Sequence, residues 1–222
     1  MAHLLGAETL GLEYPTTKVF ESVSLGVNEG DRIGIVGRNG DGKSSLLAML
    51  AGRMQPDSGR VTVRGGVRIG VLDQVDVFDD DETVGHAVVG DRPEHEWAGD
   101  AKVRDVIGGL LGDVEWTAPT SSLSGGQRRR IELARILFSD AQTMILDEPT
   151  NHLDADSVVW LREFLKNYKG GLIVISHDVE LLDAVVNKVW HLDANRATVD
   201  IYNLGWKPYL AQRETDERRR KQ

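Results

Sequence analysis

No cysteine occurs among the 222 residues, which excludes disulfides and thiol chemistry and fits a reducing cytosol. Long apolar runs are also missing. Stretches such as Leu172 to Ile175 are far shorter than the roughly 20 residues that a membrane-spanning helix needs. The first five residues carry neither a charged start nor a long apolar core, so no signal peptide is visible. There is no internal repeat and no low-complexity linker. No patch interleaves aromatics with Lys and Arg in the way that would itself read RNA. The formal net charge is −9, and it is unevenly spread. From Asp73 to Asp105 eleven acids stand against three bases, a local balance of −8 that is unsuited to nucleic acid. Hydrophobic residues at 41% and charged residues at 27% are in the range of a soluble globular chain large enough for a sizeable core.

The patterning predicts an α/β chain. Apolar runs at Arg32 to Val36, Thr143 to Leu146, Leu172 to Ile175 and Lys188 to Leu192 read as buried strands. Helical patterns at Lys43 to Leu50, Gln127 to Phe138, Ser157 to Tyr168 and Val179 to Val186 lie between some of them. That alternation predicts a largely parallel sheet with helices on both faces. Lys18 to Val27 alternates apolar and polar positions, as a half-exposed antiparallel strand does. Gly59 to Asp73 reads as a hairpin turning at Gly65-Gly66. The acidic stretch from Asp79 to Thr120 reads as a small, mainly helical subdomain. Trp206 to Gln222 opens like a helix and ends without a Gly or Pro stop.

"GRNGDGKS", Gly37 to Ser44, follows one predicted strand and opens one predicted helix. This is the phosphate-loop pattern. Its glycines let successive N–H groups turn toward one anion, and the helix adds its positive N-terminus. Lys43 supplies a point charge for the β- and γ-phosphates. Ser44 supplies a hard oxygen for Mg²⁺. A second group of residues points to the same chemistry. The strand from Thr143 ends in two adjacent acids, Asp147 and Glu148. Parallel strands put their C-termini on the ligand side, so both acids fall near Ser44. Two neighbouring buried carboxylates raise the pKa of at least one unless a cation offsets them. A divalent metal held by Asp147 removes that conflict, and Glu148 is left to polarise an attacking water.

"LSGGQ", Leu123 to Gln127, opens a long helix. Ser124 and Gln127 have the spacing of a capping box, while Gly125 and Gly126 leave bare N–H groups at a positive helix end. Arg128, Arg129 and Arg130 either add field there or form a solvated face.

These motifs together resemble the ATP-binding cassette (ABC) family. LSGGQ is similar to that family's signature and stands in its order, after the phosphate loop and before the Asp-Glu strand. The resemblance covers essentially Leu4 to Leu210. It implies nucleotide contacts from Gly37, Arg38, Asn39, Gly40, Asp41, Gly42, Lys43, Ser44 and Ser45. It adds Tyr14 as the aromatic that stacks on adenine, and Gln74 as the glutamine that senses Mg²⁺ and the attacking water. His177 becomes the histidine at the γ-phosphate, and Asp154 the aspartate that faces a partner cassette. ATP and Mg²⁺ are the implied cofactors. In the family, nucleotide lies between two head-to-tail cassettes, so Ser124, Gly125, Gly126 and Gln127 are expected to act in trans on a second cassette.

"DEPTNHLD", with Asn151-His152 before Leu153-Asp154, is similar to the F subfamily, soluble two-cassette proteins of which many act on the ribosome. On that resemblance residues 1–211 form one nucleotide-binding domain with a helical subdomain at about 79–140. Residues 212–222 begin a charged helical linker, the chain being the N-terminal cassette of a longer cytoplasmic protein. Ribosome contact follows from the resemblance and not from composition. Two other readings stay open: the ATPase subunit of a membrane transporter, and a module that binds ATP without turning it over.

Overall fold

The computed structural model describes residues 2–38, 42–72 and 81–222. The chain opens with two long antiparallel strands, β1 (His3–Tyr14) and β2 (Thr17–Asn28), joined by a tight turn. β3 (Arg32–Val36) leads toward α1 (Lys43–Leu50). β4 (Ser58–Val63) pairs with β1, and β5 (Ile69–Leu72) follows it. Helices α2 (Val84–Val89), α3 (Glu94–Trp97), α4 (Ala101–Leu110) and α5 (Gly125–Phe138) form the next run. Then come β6 (Thr143–Asp147), α6 (Ala155–Lys166), β7 (Gly171–Ile175), α7 (Val179–Val185), β8 (Lys188–Asp193), β9 (Thr198–Tyr202) and α8 (Trp206–Arg220).

Among the described residues the strands form two sheets. The order β2-β1-β4 is antiparallel, and the order β5-β6-β7-β3-β8-β9 is parallel except for β9. This is the expected α/β architecture with an antiparallel layer. Alternate residues of the parallel strands feed two cores, because successive side chains point to opposite faces. Met144, Leu146, Leu172 and Val174 join one core with the helices α2, α4, α5, α6 and α7. Ile33, Ile35, Ile145, Ile173 and Trp190 join the other, with α1 and the antiparallel sheet. Trp190 is 1% exposed, and burying a side chain of that kind is worth about 1.5–3 kcal/mol or more.

Two expectations need correction. Gly59 to Asp73 is not a hairpin: β4 belongs to the antiparallel sheet, and β5 pairs in parallel with β6. Gly66 does turn the chain, with φ of 85°, but the turn passes it from one sheet to the other. Helices do not cover both faces of the parallel sheet alone, since α1 shares one face with the antiparallel layer. The alternating pattern marked only β2 in that layer. β1 and β9 went unmarked because bulges at Thr9 and Ser22 (φ of 50° and 54°) break the register of the β1–β2 pair, and β9 is half-exposed.

Candidate active site

The C-terminal ends of β3, β6 and β7 point to one edge of the parallel sheet, and a cleft of about 340 Å³ opens there. Lys43, Ser44, Asp147, Glu148, His177 and Asp178 are among its walls. Residues from three separate sequence motifs therefore meet in one place.

The cradle starts where β3 gives way to α1. Gly42 caps α1 with φ of 99°, a left-handed conformation that favours glycine. A Cβ at Gly42 would also stand 2.5 Å from Cγ1 of Val19. Gly42 gives no side-chain cap to α1 and the first turn holds no acid, so no side chain there takes up the N–H groups at the helix start. Lys43 Nζ curls back and donates to the Gly37 carbonyl at 2.8 Å. Ser44 is exposed beside it. A short helix end free of acids, with a lysine and a hydroxyl at its first turn, fits a phosphate group. Asn39, Gly40 and Asp41, predicted to line the loop, lie outside the described residues, and so does Gln74. Arg38 is exposed at the loop's start. Tyr14, 43% exposed at the end of β1, shares a hydrogen bond of 3.3 Å between its hydroxyl and that of Ser45.

The acids stand at the end of β6. Burial pushes the Asp147 carboxyl above the usual carboxylate range, and the charges of Arg129, Lys43 and His177 pull it partly back. Asp147 therefore carries a desolvation cost that a bound cation would relieve. Among the described residues no group of three His, Cys, Asp or Glu converges as a metal cage. Ser44 and Asp147 make a sparse oxygen pair of the kind that holds Mg²⁺ together with substrate phosphates.

Glu148 adopts φ of 50°. A left-handed backbone costs a non-glycine residue about 1–2 kcal/mol, so the surroundings must hold it there. They do so with several bonds. The Glu148 N–H donates to the Ile175 carbonyl at 2.8 Å. Its carboxylate meets His177 twice, with Oε1 3.2 Å from the ring Nε2 and Oε2 accepting from the His177 backbone N–H at 3.3 Å. The Glu148 side chain is 15% exposed and that of His177 is 78% exposed. The acid is thus fixed at the cleft floor, while the histidine faces what enters from outside.

Ser124 caps α5, and Gly125, Gly126 and Gln127 form its first turn, none of them among the cleft walls. Ser124 Oγ accepts from the Gln127 N–H at 3.1 Å, and the Gln127 side chain accepts from the Ser124 N–H at 3.0 Å. The capping box is formed, yet Ser124 and Gly125 remain exposed. Gly126 serves packing as well: a Cβ there would stand 3.2 Å from Cβ of His152. Asp154 caps α6 by accepting from the Ser157 N–H at 2.8 Å, and this bond holds its carboxyl below the usual range. Its side chain is exposed at the turn after Asn151.

Sequence reasoning passed over Thr150 and Asp178 in the cleft wall, took Asn151 only as a subfamily marker, and missed the inward turn of Arg129. The first three sit in short turns beside the named motifs. Nothing in a run of three arginines tells which one turns inward.

The family model described as ABC transporter matches residues 20–151. The "Probable ATP-binding protein YheS" of Haemophilus influenzae is 31% identical over 93% of this chain, which spans 37% of that protein. The "Energy-dependent translational throttle protein EttA" of Mycobacterium tuberculosis is 32% identical over 81% of this chain, which spans 38% of that protein. Among solved structures, an ATP-binding subunit of an ABC transporter superposes with a TM-score of 0.78 at 18% identity, covering 90% of each chain. A dimeric ATP-binding cassette in a post-hydrolysis state, bound to ADP and Pi, gives 0.72 at 19% identity, covering 91% of this chain and 100% of that one. At such identities the two structures speak for the fold.

Proposed function

The chain belongs to the ATP-binding cassette family, and on that premise we propose that it hydrolyses ATP as one cassette of a soluble F-subfamily protein acting on the ribosome. The observation that carries the reading is the meeting of Lys43, Ser44, Asp147, Glu148 and His177 in one cleft. The backbone after Gly37 and the start of α1 receive the phosphates, and Lys43 leaves the Gly37 carbonyl to meet them. Ser44, Asp147 and Gln74 would hold Mg²⁺, which when bound neutralises charge on the phosphate oxygens. Glu148 orients a water and takes its proton as the water oxygen bonds to the γ-phosphorus. The bond from that phosphorus to the bridging oxygen breaks, and ADP leaves with the electron pair. His177 donates to the γ-phosphate from the solvent side.

Ser124 is exposed and is not among the walls of the cleft that holds Lys43 and Glu148. It completes the site of a second cassette, supplied by the same polypeptide or a second copy. Closure with ATP and parting after hydrolysis are the mechanical output. The ribosome as target, and a cytoplasmic setting, are supported by the likeness to EttA and by the Asn151-His152 pair before Leu153-Asp154. No described helix is long and apolar enough to cross a membrane.

Two measurements test the reading. This chain alone is expected to be mostly monomeric without nucleotide and a poor ATPase, so a stable nucleotide-free dimer contradicts the two-cassette engine. The full-length protein carrying Glu148→Gln is expected to co-sediment with ribosomes when ATP is present. Sedimentation that ignores ATP, or none at all, moves the assignment to the transporter subunit.

A further inference from the structure

Arg129 lies in the second turn of the signature helix α5, five residues after Ser124, and turns its guanidinium inward. Nη2 donates to the backbone carbonyl of Asp147 at 2.6 Å. The other end of that same peptide unit is also fastened, because the Glu148 N–H donates to the Ile175 carbonyl at 2.8 Å. The peptide that joins the two acids is therefore gripped at its oxygen by α5 and at its nitrogen by β7.

We propose that Arg129 is a positioning residue for ATP hydrolysis, holding the Asp147–Glu148 peptide so that both carboxylates keep their aim. The proposal rests on the ATPase reading given above and goes beyond it, since Arg129 belongs to neither the cradle nor the acid pair. Three observations support it. Glu148 sits at φ of 50°, a conformation that relaxes when its restraints are removed. A guanidinium bond to a carbonyl is charge-assisted and directional, so it fixes the plane of the peptide as well as its place. Finally, the neighbouring arginine has a separate task. Arg130 turns to the helical side, where it donates to the Leu110 carbonyl at 2.9 Å and pairs with Asp113. The arginine run after LSGGQ is thus divided: Arg130 fastens α5 to the end of α4, and Arg129 fastens it to the acids. In consequence the helix whose N-terminus serves a partner cassette is tied, in the same chain, to the residues that handle water and metal.

The test compares Arg129→Met and Arg129→Lys with the wild type, all in the full-length protein. The first readout is amide hydrogen exchange in the segment around 147–148, which does not depend on turnover. Arg129→Met should speed exchange there roughly tenfold, and Arg129→Lys should restore part of the protection. The second readout splits kcat from KM. Arg129→Met should lower kcat roughly 10²-fold, as a small misplacement of a catalytic group does, with ATP affinity within about threefold of wild type. Arg129→Lys should recover part of kcat. Exchange unchanged in both variants overturns the proposal. So does a loss of turnover that merely follows lost ATP binding or lost folded protein, with Arg129→Lys no better than Arg129→Met. If the wild-type protein does not hydrolyse ATP, the ATPase reading fails, while the exchange data still judge the grip on the peptide.

Discussion

The ring Nε2 of His177 lies 3.2 Å from Oε1 of Glu148, and the His177 backbone N–H donates to the other carboxylate oxygen. The pair joins the ends of β6 and β7 and fixes an acid whose backbone is strained. Replacing Glu148 by Gln keeps the shape and most of these contacts and removes the proposed proton acceptor. Turnover should fall roughly 10²- to 10⁴-fold, the range for a positioned general base. Nucleotide affinity should hold, because the proposed phosphate cradle is formed by the start of α1 and the loop before it, and not by Glu148. Steady-state kinetics beside calorimetry check both halves, and undiminished hydrolysis removes Glu148 from the role.

Lys43 Nζ rests on the Gly37 carbonyl at 2.8 Å, a bond it can exchange for a phosphate oxygen. Lys43→Ala should cost little stability, since the lysine sits at the helix start and only partly buried. It should weaken ATP binding by about 1.5–3 kcal/mol, the worth of a hydrogen bond to a charged group. That is roughly 10- to 150-fold in affinity. Calorimetry showing unchanged affinity in a folded variant counts against the cradle.

Ser124 has two tasks that can be separated by choosing the replacement. Its hydroxyl caps α5 by accepting from the Gln127 N–H. Alanine at a cap costs about 1 kcal/mol and glycine only a few tenths. Ser124→Ala should therefore lower the denaturant midpoint clearly, and Ser124→Gly hardly at all. Both should lose ATP-dependent association with a second cassette, because both lack the hydroxyl. If Ser124→Gly associates as wild type does, the serine is a cap and nothing more.

The sequence made the site more legible than the frame around it. Phosphate loops and acid-ended strands are read from residues that are close together, so Gly37 to Ser44 and Asp147-Glu148 stand out in any order of inspection. The parallel strands β3, β6, β7 and β8 were equally plain, each being a short β-branched or Leu-rich run with buried neighbours. The crossing from β4 to β5 was hidden because Gly65-Gly66 has the chemistry of a hairpin turn wherever it leads. Which sheet receives β5 is decided by β6, about 75 residues later, and no local pattern carries that. Arg129 was obscure for the same reason, since its partner is a backbone oxygen 18 residues away.

His191 is half-buried at the end of β8, beside Val36, and its Nδ1 shares a hydrogen bond of 2.7 Å with the hydroxyl of Tyr209 on α8. Burial, aided by the charge of Arg213, holds the imidazole below its ordinary pKa of 6.5. The unfolded chain then binds a proton that the folded chain refuses. Stability contributed by His191 is intact above pH 6.5 and falls as pH drops from there toward the lowered folded value. His86 works in the opposite sense. Hydrogen bonds to Asp91 and Glu82 raise it, so its contribution is present below 6.5 and lost as pH rises through the raised value. Unfolding curves of wild type and His191→Gln between about pH 7.5 and 5.5 isolate the first effect. Wild type should lose stability on acidification relative to the variant, and parallel curves refute the assignment.

Tyr14 ends β1 with its ring 43% exposed and its hydroxyl 3.3 Å from that of Ser45, the residue after the proposed metal ligand. A large aromatic left half in water next to a phosphate cradle has an open face on which a base can stack. The bond to Ser45 holds the ring near the helix start but is not itself needed for stacking. Tyr14→Phe should therefore leave ATP affinity within about twofold, whereas Tyr14→Ala should weaken it by about 1 kcal/mol, an aromatic stacking contribution. An inorganic triphosphate binds through the same cradle without a base. Its affinity should be equal in wild type, Tyr14→Phe and Tyr14→Ala. If Tyr14→Ala weakens triphosphate and ATP alike, the tyrosine supports the strand end and does not touch adenine.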